Sequence, residues 1–280
     1  MRNKRGFFIS IHPLTWSLAA VSFFTGQFIS FFILFGLIVL HECGHLASAL
    51  FYKWEIKSVT LLPFGGKLEV EGILDRPFKE ELVVIVSGPL QHIAAGSLAY
   101  LFLQEWSYYS LFMQLNIQLL CFNLLPLWPL DGGRIVYLVL ARLLPFKEAV
   151  KQSLLLSFAG FCLTLFFTFT VFSFHLQWLF VLIYAATACF LHWKHRSILE
   201  KQFWLERWKN NFAGSVPKVN YIDAYDSVSH ALRQLKKGQR TIFVIKEQND
   251  TVAMVTDLTL IRSYFNNGTG PQPVSFLLKK

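Results

Sequence analysis

An α-helical polytopic membrane protein, with six transmembrane helices and a small α/β domain at its C-terminus, is the fold class the sequence predicts. Three observations point to it. Hydrophobic residues make up 54% of the 280-residue chain and charged ones 15%, giving a mean hydropathy of +0.44; that composition, with 29 phenylalanines, exceeds what a soluble core needs. Apolar runs long enough to cross a bilayer recur between short polar breaks. From about Lys194 onward the chain turns soluble in character. The expected division is a membrane domain over 1–193, an amphipathic linker over 194–216 and a soluble domain over 217–280.

The N-terminus, MRNKRGFFIS, is basic, and no small-residue cleavage site ends a short apolar core after it, so a retained first span is expected over Pro13–Phe24. Thr25, Gly26 and Gln27 separate it from a second span, Phe28–Tyr52. At about 1.5 Å per residue this second run reaches about 37 Å, enough to cross with some tilt. The stretch after Lys53 is polar. Around Gly65 and Gly66, apolar Leu68 and Val70 alternate with Lys67, Glu69 and Glu71, which is hairpin chemistry.

A third span is expected over Leu82–Leu103, interrupted by Ser87, Gly88 and Pro89 and carrying His92. A fourth runs from Tyr109 to Leu125, where Pro126 and Pro129 break it; Asp131, Gly132 and Gly133 follow, and the apolar pattern resumes at Ile135–Leu144. Broken helices of this kind bring polar groups to depth where they can face a protected cavity. Leu154–Phe174 and Leu176–Trp193 complete the six, with a turn near Ser173 and His175. Basic residues flank one side of this arrangement only, and the loops at Gly26, Gln104–Tyr108 and His175 carry none. By the positive-inside rule both termini are cytoplasmic, in a multi-pass cell-membrane protein.

Beyond Trp193 the run with Trp204 and Trp208 among basic residues suits a helix along the membrane surface. The remainder alternates a helical DSVSHALRQLKKG, a strand TIFVIKE, a turn, a strand TVAMVTD and a helix LTLIRSYF. The net charge of +9 is dispersed around apolar runs and forms no stripe, so anionic lipid is its expected counterpart and nucleic acid is not. Cys43, Cys121, Cys162 and Cys189 sit in apolar segments without paired spacing and read as small buried hydrophobes.

The stretch that carries chemistry is HECGH, His41 to His45, in the second half of the second span. Residues four apart share a helix face, so His41 and His45 can present two imidazoles to one metal ion. Glu42 can then act as base toward a water the metal activates. Isolated helix histidines are usually packing residues, but ionisable groups in hydrocarbon are costly and functional by default. Zinc is the expected metal, one per chain, since two histidines and a carboxylate leave the fourth position open as catalytic zinc requires. Asp131 is the candidate third ligand. A good N-cap residue after a proline break, it has the helix cap as its bland reading, and the ligand role is favoured because it is the one acid near the cytoplasmic side of the spans apart from Glu42. Gly65, Gly66 and their hairpin are candidate strand donors for an unwound substrate.

These segments resemble the site-2 protease family of intramembrane zinc metalloproteases: His41-Glu42-Cys43-Gly44-His45, then Ser87-Gly88-Pro89, then Asn123 through Pro126 and Pro129 to Asp131-Gly132. The resemblance covers the chain to about residue 145. It implies His41, His45 and Asp131 as ligands, Glu42 as the catalytic residue, and Asn123 and Pro129 as shaping the substrate and metal environment. Where many relatives have an asparagine after the Gly-Pro of the third span, this chain has Gln91 and His92. The six-span layout with a C-terminal domain is similar to the members that release pro-sigma-K from its membrane tether during endospore formation. That likeness implies a membrane-tethered pro-sigma factor as substrate, membrane inhibitor proteins, and residence in the mother-cell membrane around the forespore. The tail resembles a single CBS domain, which implies homo-oligomers and admits ATP. Of the residues that hold a ribose in such domains, Thr256 matches, whereas Ala253 and Thr259 do not and Asp257 stands two positions early; assembly or substrate docking is the competing role.

A CBS-regulated metal transporter or channel, with His41, His45 and Asp131 along its pathway, is the alternative from another class. Transporters need access from both faces and commonly show repeated halves; the sequence has neither a repeat nor a second metal cluster. A proteolytically dead adaptor would have no need of Glu42.

Overall fold

A computed structural model of the chain describes residues 8–62, 65–170, 176–209, 217–247, 250–266 and 273–279. The expected turn at Ser173 and His175, the Gln248–Asn249 turn, Phe64 and the end of the linker at Asn211 lie outside them. In order, the elements are β1 (Phe8–Ile11), α1 (Pro13–Phe24), α2 (Phe28–Phe51), β2 (Ile56–Leu62), β3 (Gly65–Val70), α3 (Phe78–Phe102), α4 (Tyr109–Leu124), α5 (Asp131–Leu143), α6 (Phe146–Thr170), α7 (Leu176–Lys209), β4 (Lys218–Asp223), α8 (Val228–Arg233), β5 (Thr241–Glu247), β6 (Asp250–Thr256) and α9 (Asp257–Asn266). Short 3-10 turns occupy Ile73–Asp75 and Val274–Lys279.

Among the described residues, three helices are long and apolar enough to cross a membrane: α2, α3 and α6 over Phe146–Phe166. The protein is therefore mostly helical and membrane-embedded. The crossings expected at Pro13–Phe24 and Tyr109–Leu125 form helices of 12 and 16 residues, about 18 and 24 Å long against a hydrocarbon layer of about 30 Å. Proline at the first position and the His12 side chain, which accepts from the Leu14 N–H, start α1. Between Leu176 and Lys209 no glycine or proline interrupts the chain, so the sixth run and the start of the linker form one continuous helix.

The chain divides into two compact units, the first made of 1–71, 79–135 and 159–186, the second of 72–78, 136–158 and 187–280. In the first unit, β1 pairs parallel with β2 and β2 antiparallel with β3, so the sheet order is β1-β2-β3 with β3 at an edge. The predicted hairpin is this β2–β3 pair; β1 was not anticipated, because Phe8, Ile9, Ser10 and Ile11 read as the lead-in to the apolar run that follows. Helices α2 and α4 meet through Leu37, Ile38 and Leu119. Close approach of α2 to α3 rests on small residues: a Cβ at Gly44 would lie 2.5 Å from the Ser87 carbonyl oxygen and 2.7 Å from Gln91 Cγ, and Ser48 Oγ lies 2.8 Å from Ser87 Oγ. Without a hydrophobic force between helices in lipid, such backbone proximity and hydroxyl pairing hold them together.

The second unit has the sheet order β4-β5-β6, with β4 parallel and β6 antiparallel to β5. Its core contains Phe203, Phe243, Ile245, Leu260 and Ile261, with the Phe146 and Phe203 rings stacked at 4.2 Å. Arg207, 1% exposed, pairs with both oxygens of Asp75 at 3.1 Å, donates to the Lys236 and Gln239 carbonyls and lies 3.5 Å from Asp257. A buried guanidinium is tolerable only with partners of this number.

Candidate metal centre and active site

On α2, the four-residue spacing turns His41 and His45 to one side, and their Nε2 atoms stand 3.0 Å apart. The Val84 carbonyl accepts from His45 Nδ1 at 2.7 Å. That bond fixes the tautomer: Nδ1 carries the hydrogen and Nε2 keeps a lone pair for the centre. Helix α3 closes over the pair at Gly88, where a Cβ would lie 2.5 Å from His45 Cε1 and 2.8 Å from His41 Cε1. No side chain fits there.

Asp131 arrives from a distant stretch of the same unit. The loop after α4 folds back against the start of α5, where a Cβ at Gly133 would sit 2.6 Å from the Leu127 carbonyl carbon and 2.7 Å from the Trp128 nitrogen. Leu127 and Leu130 pack with Phe122 to anchor that loop. The result puts Asp131 Oδ2 at 3.0 Å from His41 Nε2 and 3.2 Å from His45 Nε2.

Three donor atoms, two nitrogens and one oxygen, thus form a triangle with edges of 3.0, 3.0 and 3.2 Å. Ligands at about 2.0–2.1 Å from a tetrahedral zinc stand roughly 3.3–3.4 Å apart, so the residues fit that ion. Asp131 Oδ2 is buried and faces the two Nε2 atoms; a carboxylate oxygen and an imidazole lone pair converging in an apolar surrounding call for a cation between them. Glu42 is also close: its carboxylate and the two imidazoles lie within 4.8 Å of one another. The two acids differ in what holds them, because Glu42 Oε1 accepts the Gly66 N–H at 2.8 Å, while Asp131 faces the imidazoles. The shorter distances make Asp131 the better third donor and leave Glu42 beside the centre.

The structure therefore brings His41, Glu42, His45, Asp131 and Gly66 into one place. Asn123 is buried at the end of α4, and Pro129, behind a cis bond to Trp128, belongs to the loop that delivers Asp131. Gly65 has φ +153 at the start of β3. Thr256 is in the second unit, its Oγ1 exposed and 3.0 Å from Thr259 Oγ1. Asp257 beside it is buried against Arg207 and Arg240.

One polar pair near the centre escaped the sequence reading. His92 Nδ1 lies 2.8 Å from Asn116 Oδ1, and the Asn116 amide donates to the His92 carbonyl at 2.8 Å; the His92 ring is 5.1 Å from that of His41. Gly96 admits the Asn116 amide, which would lie 2.9 Å from a Cβ there. The available signal was an asparagine in the middle of an apolar run.

Comparison with known proteins points to one family. The sequence model of peptidase family M50 matches residues 29–110 and 104–167. Stage IV sporulation protein FB of Bacillus subtilis is 35% identical over 266 residues, which is 92% of this chain and 91% of that protein. A zinc metalloprotease of Methanocaldococcus jannaschii is 33% identical over 129 residues, 43% of this chain and 37% of its own. Among solved structures, the site-2 protease from M. jannaschii superposes with a TM-score of 0.54 at 25% identity, covering 68% of this chain and 92% of that one.

Proposed function

The chain belongs to peptidase family M50 and is a zinc metalloprotease, and from that premise we propose that it hydrolyses a peptide bond of a membrane-tethered regulatory precursor, a pro-sigma factor of the pro-sigma-K type made during endospore formation. The observation that carries this reading is the triangle of His41 Nε2, His45 Nε2 and Asp131 Oδ2, with Glu42 beside it and with both histidines and Glu42 on α2, a helix long and apolar enough to cross a membrane. The similarity to a sporulation protein over nine-tenths of both chains supports the choice of substrate class.

In this reading His41, His45 and Asp131 hold one zinc ion. When bound, zinc supplies Lewis acidity, which polarises the scissile carbonyl and brings the pKa of water toward about 7. Glu42 takes a proton from the attacking water as the new C–O bond forms, and hands it to the amide nitrogen as the C–N bond breaks. His45 is kept in its working tautomer by Val84, and Asp131 neutralises positive charge between the imidazoles. The substrate must be partly unwound to expose its carbonyl. The β3 edge starting at Gly65 and Gly66 is the strand on which an opened peptide can pair, and Asn123 and Pro129 shape the loop around it.

Six crossings, both termini in the cytoplasm and residence in the mother-cell membrane around the forespore complete the proposal. Membrane inhibitor proteins are its proposed regulators. The order β4-α8-β5-β6-α9 is the ground for reading the tail as CBS-like, and self-association is the role proposed for it. ATP is the weaker occupant, because Asp257, the acid nearest a ribose-binding position, is buried in ion pairs with Arg207 and Arg240. A transporter is not favoured: the described residues hold one such cluster.

The test is co-expression with tethered sigma-factor precursors, read by product size. Glu42→Gln should keep one zinc per chain and lower cleavage by about 10²–10⁴-fold, the usual contribution of a general base. Undiminished cleavage by that variant would remove Glu42 from the mechanism.

A further inference from the structure

The hairpin reaches the acid itself. In the β1-β2-β3 sheet, β3 is an edge strand, and its residue Gly66, paired with Leu61 across the ladder, donates its N–H to Glu42 Oε1 at 2.8 Å. That N–H is turned outward from β2 toward α2. The approach is so close that a Cβ on Gly66 would sit 2.5 Å from both Glu42 Cγ and Oε2, far inside contact distance, so the position tolerates no side chain.

A glutamate has three rotatable bonds, and a base that must meet a particular water proton gains from having them fixed. A backbone N–H bonded to a carboxylate is a strong, directional, charge-assisted tether. With Oε1 held by Gly66, Oε2 is the oxygen left to receive the proton. We infer that Gly66 is a positioning residue, whose backbone N–H and missing side chain set the carboxylate of Glu42 for proton transfer. The inference rests on the reading of Glu42 as general base and deepens it. It also alters how the hairpin can take substrate. Residues two apart in a strand face the same edge, so with the Gly66 N–H already engaged, an added peptide strand has its first free place on this edge at Leu68.

The experiment is a double-mutant cycle on the zinc-loaded full chain, using a precursor that the parent chain cleaves. Gly66→Ala should keep one zinc per chain and a KM within about twofold, while kcat falls about 10²-fold. In a Glu42→Asp background, where the shorter acid has already lost this tether, adding Gly66→Ala should cost less than about threefold, the two changes being coupled. Should the alanine variant not fold, glycolate in place of Gly66 removes the N–H without adding an atom near Glu42, and the same fall in kcat is expected. The inference is overturned if kcat is retained, if KM rises while kcat holds, or if the losses multiply independently in the double variant. Cleavage by Glu42→Gln would instead overturn the general-base reading, so the two failures are distinguishable.

Discussion

At the scale of single residues, Asp131 has two duties open to it, a helix cap and a metal ligand, and they respond differently to substitution. It begins α5, yet its Oδ2 lies within 3.2 Å of both imidazole Nε2 atoms. Asparagine caps as well as aspartate but carries no charge for a cation. Asp131→Asn and Asp131→Ala should therefore both lower zinc affinity by more than about tenfold, since even partners of a ligand are worth that much. Zinc stoichiometry by mass spectrometry after dialysis at buffered free zinc checks it; an asparagine variant that holds zinc like the parent would make Asp131 a cap. His41, Glu42 and His45 were legible because spacing within one helix is local. Asp131 was legible only as a candidate, since 86 positions separate it from His45 and no local rule spans that distance.

At the scale of elements, the glycines decide how closely helices approach the centre. Gly88 lets α3 lie over the two imidazoles. Gly88→Ala should push His45 off its line to Val84 and weaken zinc binding by about tenfold, with helix content unchanged in circular dichroism. Gly36 on α2 has nothing within 4 Å of a Cβ, so Gly36→Ala should leave zinc affinity as it is. A loss of affinity in both variants alike would shift the cause from the site to helix packing at large. The Ser87-Gly88-Pro89 stretch was visible as a place of close approach, but which neighbour approached was not. Similarly, alternation around Gly65 and Gly66 foretold a hairpin, while its contact with Glu42 depends on how β3 folds back onto α2.

At the scale of the whole molecule, the buried Arg207 ties α7 to Asp75 and Asp257 within the second unit. Removing one partner of a buried pair leaves the others uncompensated, at about 3–5 kcal/mol. Arg207→Met should therefore make the tail markedly easier to cleave in limited proteolysis, and Arg207→Lys should not restore it, because an ammonium cannot pair bidentately with Asp75. Tail resistance equal to the parent's would mean that apolar packing around Phe203 and Phe243 suffices. Sequence patterns located β5, β6, α8 and α9, each a local run of one periodicity. They missed β4, whose exposed edge residues Val219 and Tyr221 do not stand out by composition.

Composition and spacing alone determined that this chain belongs in a membrane, that one helix carries two imidazoles and an acid on adjoining faces, and that a hairpin and a tail of short strands and helices accompany it. These follow from short-range rules: hydrocarbon length, the helical repeat, and turn residues. Only the tertiary structure decided that Asp131 meets the imidazoles, that Gly88 and Gly66 lie against His45 and Glu42, and that Asp257 is buried rather than open to a ligand. Each of those depends on the packing of segments distant in the chain, where the free energy is shared among many contacts and no single stretch of sequence carries the signal.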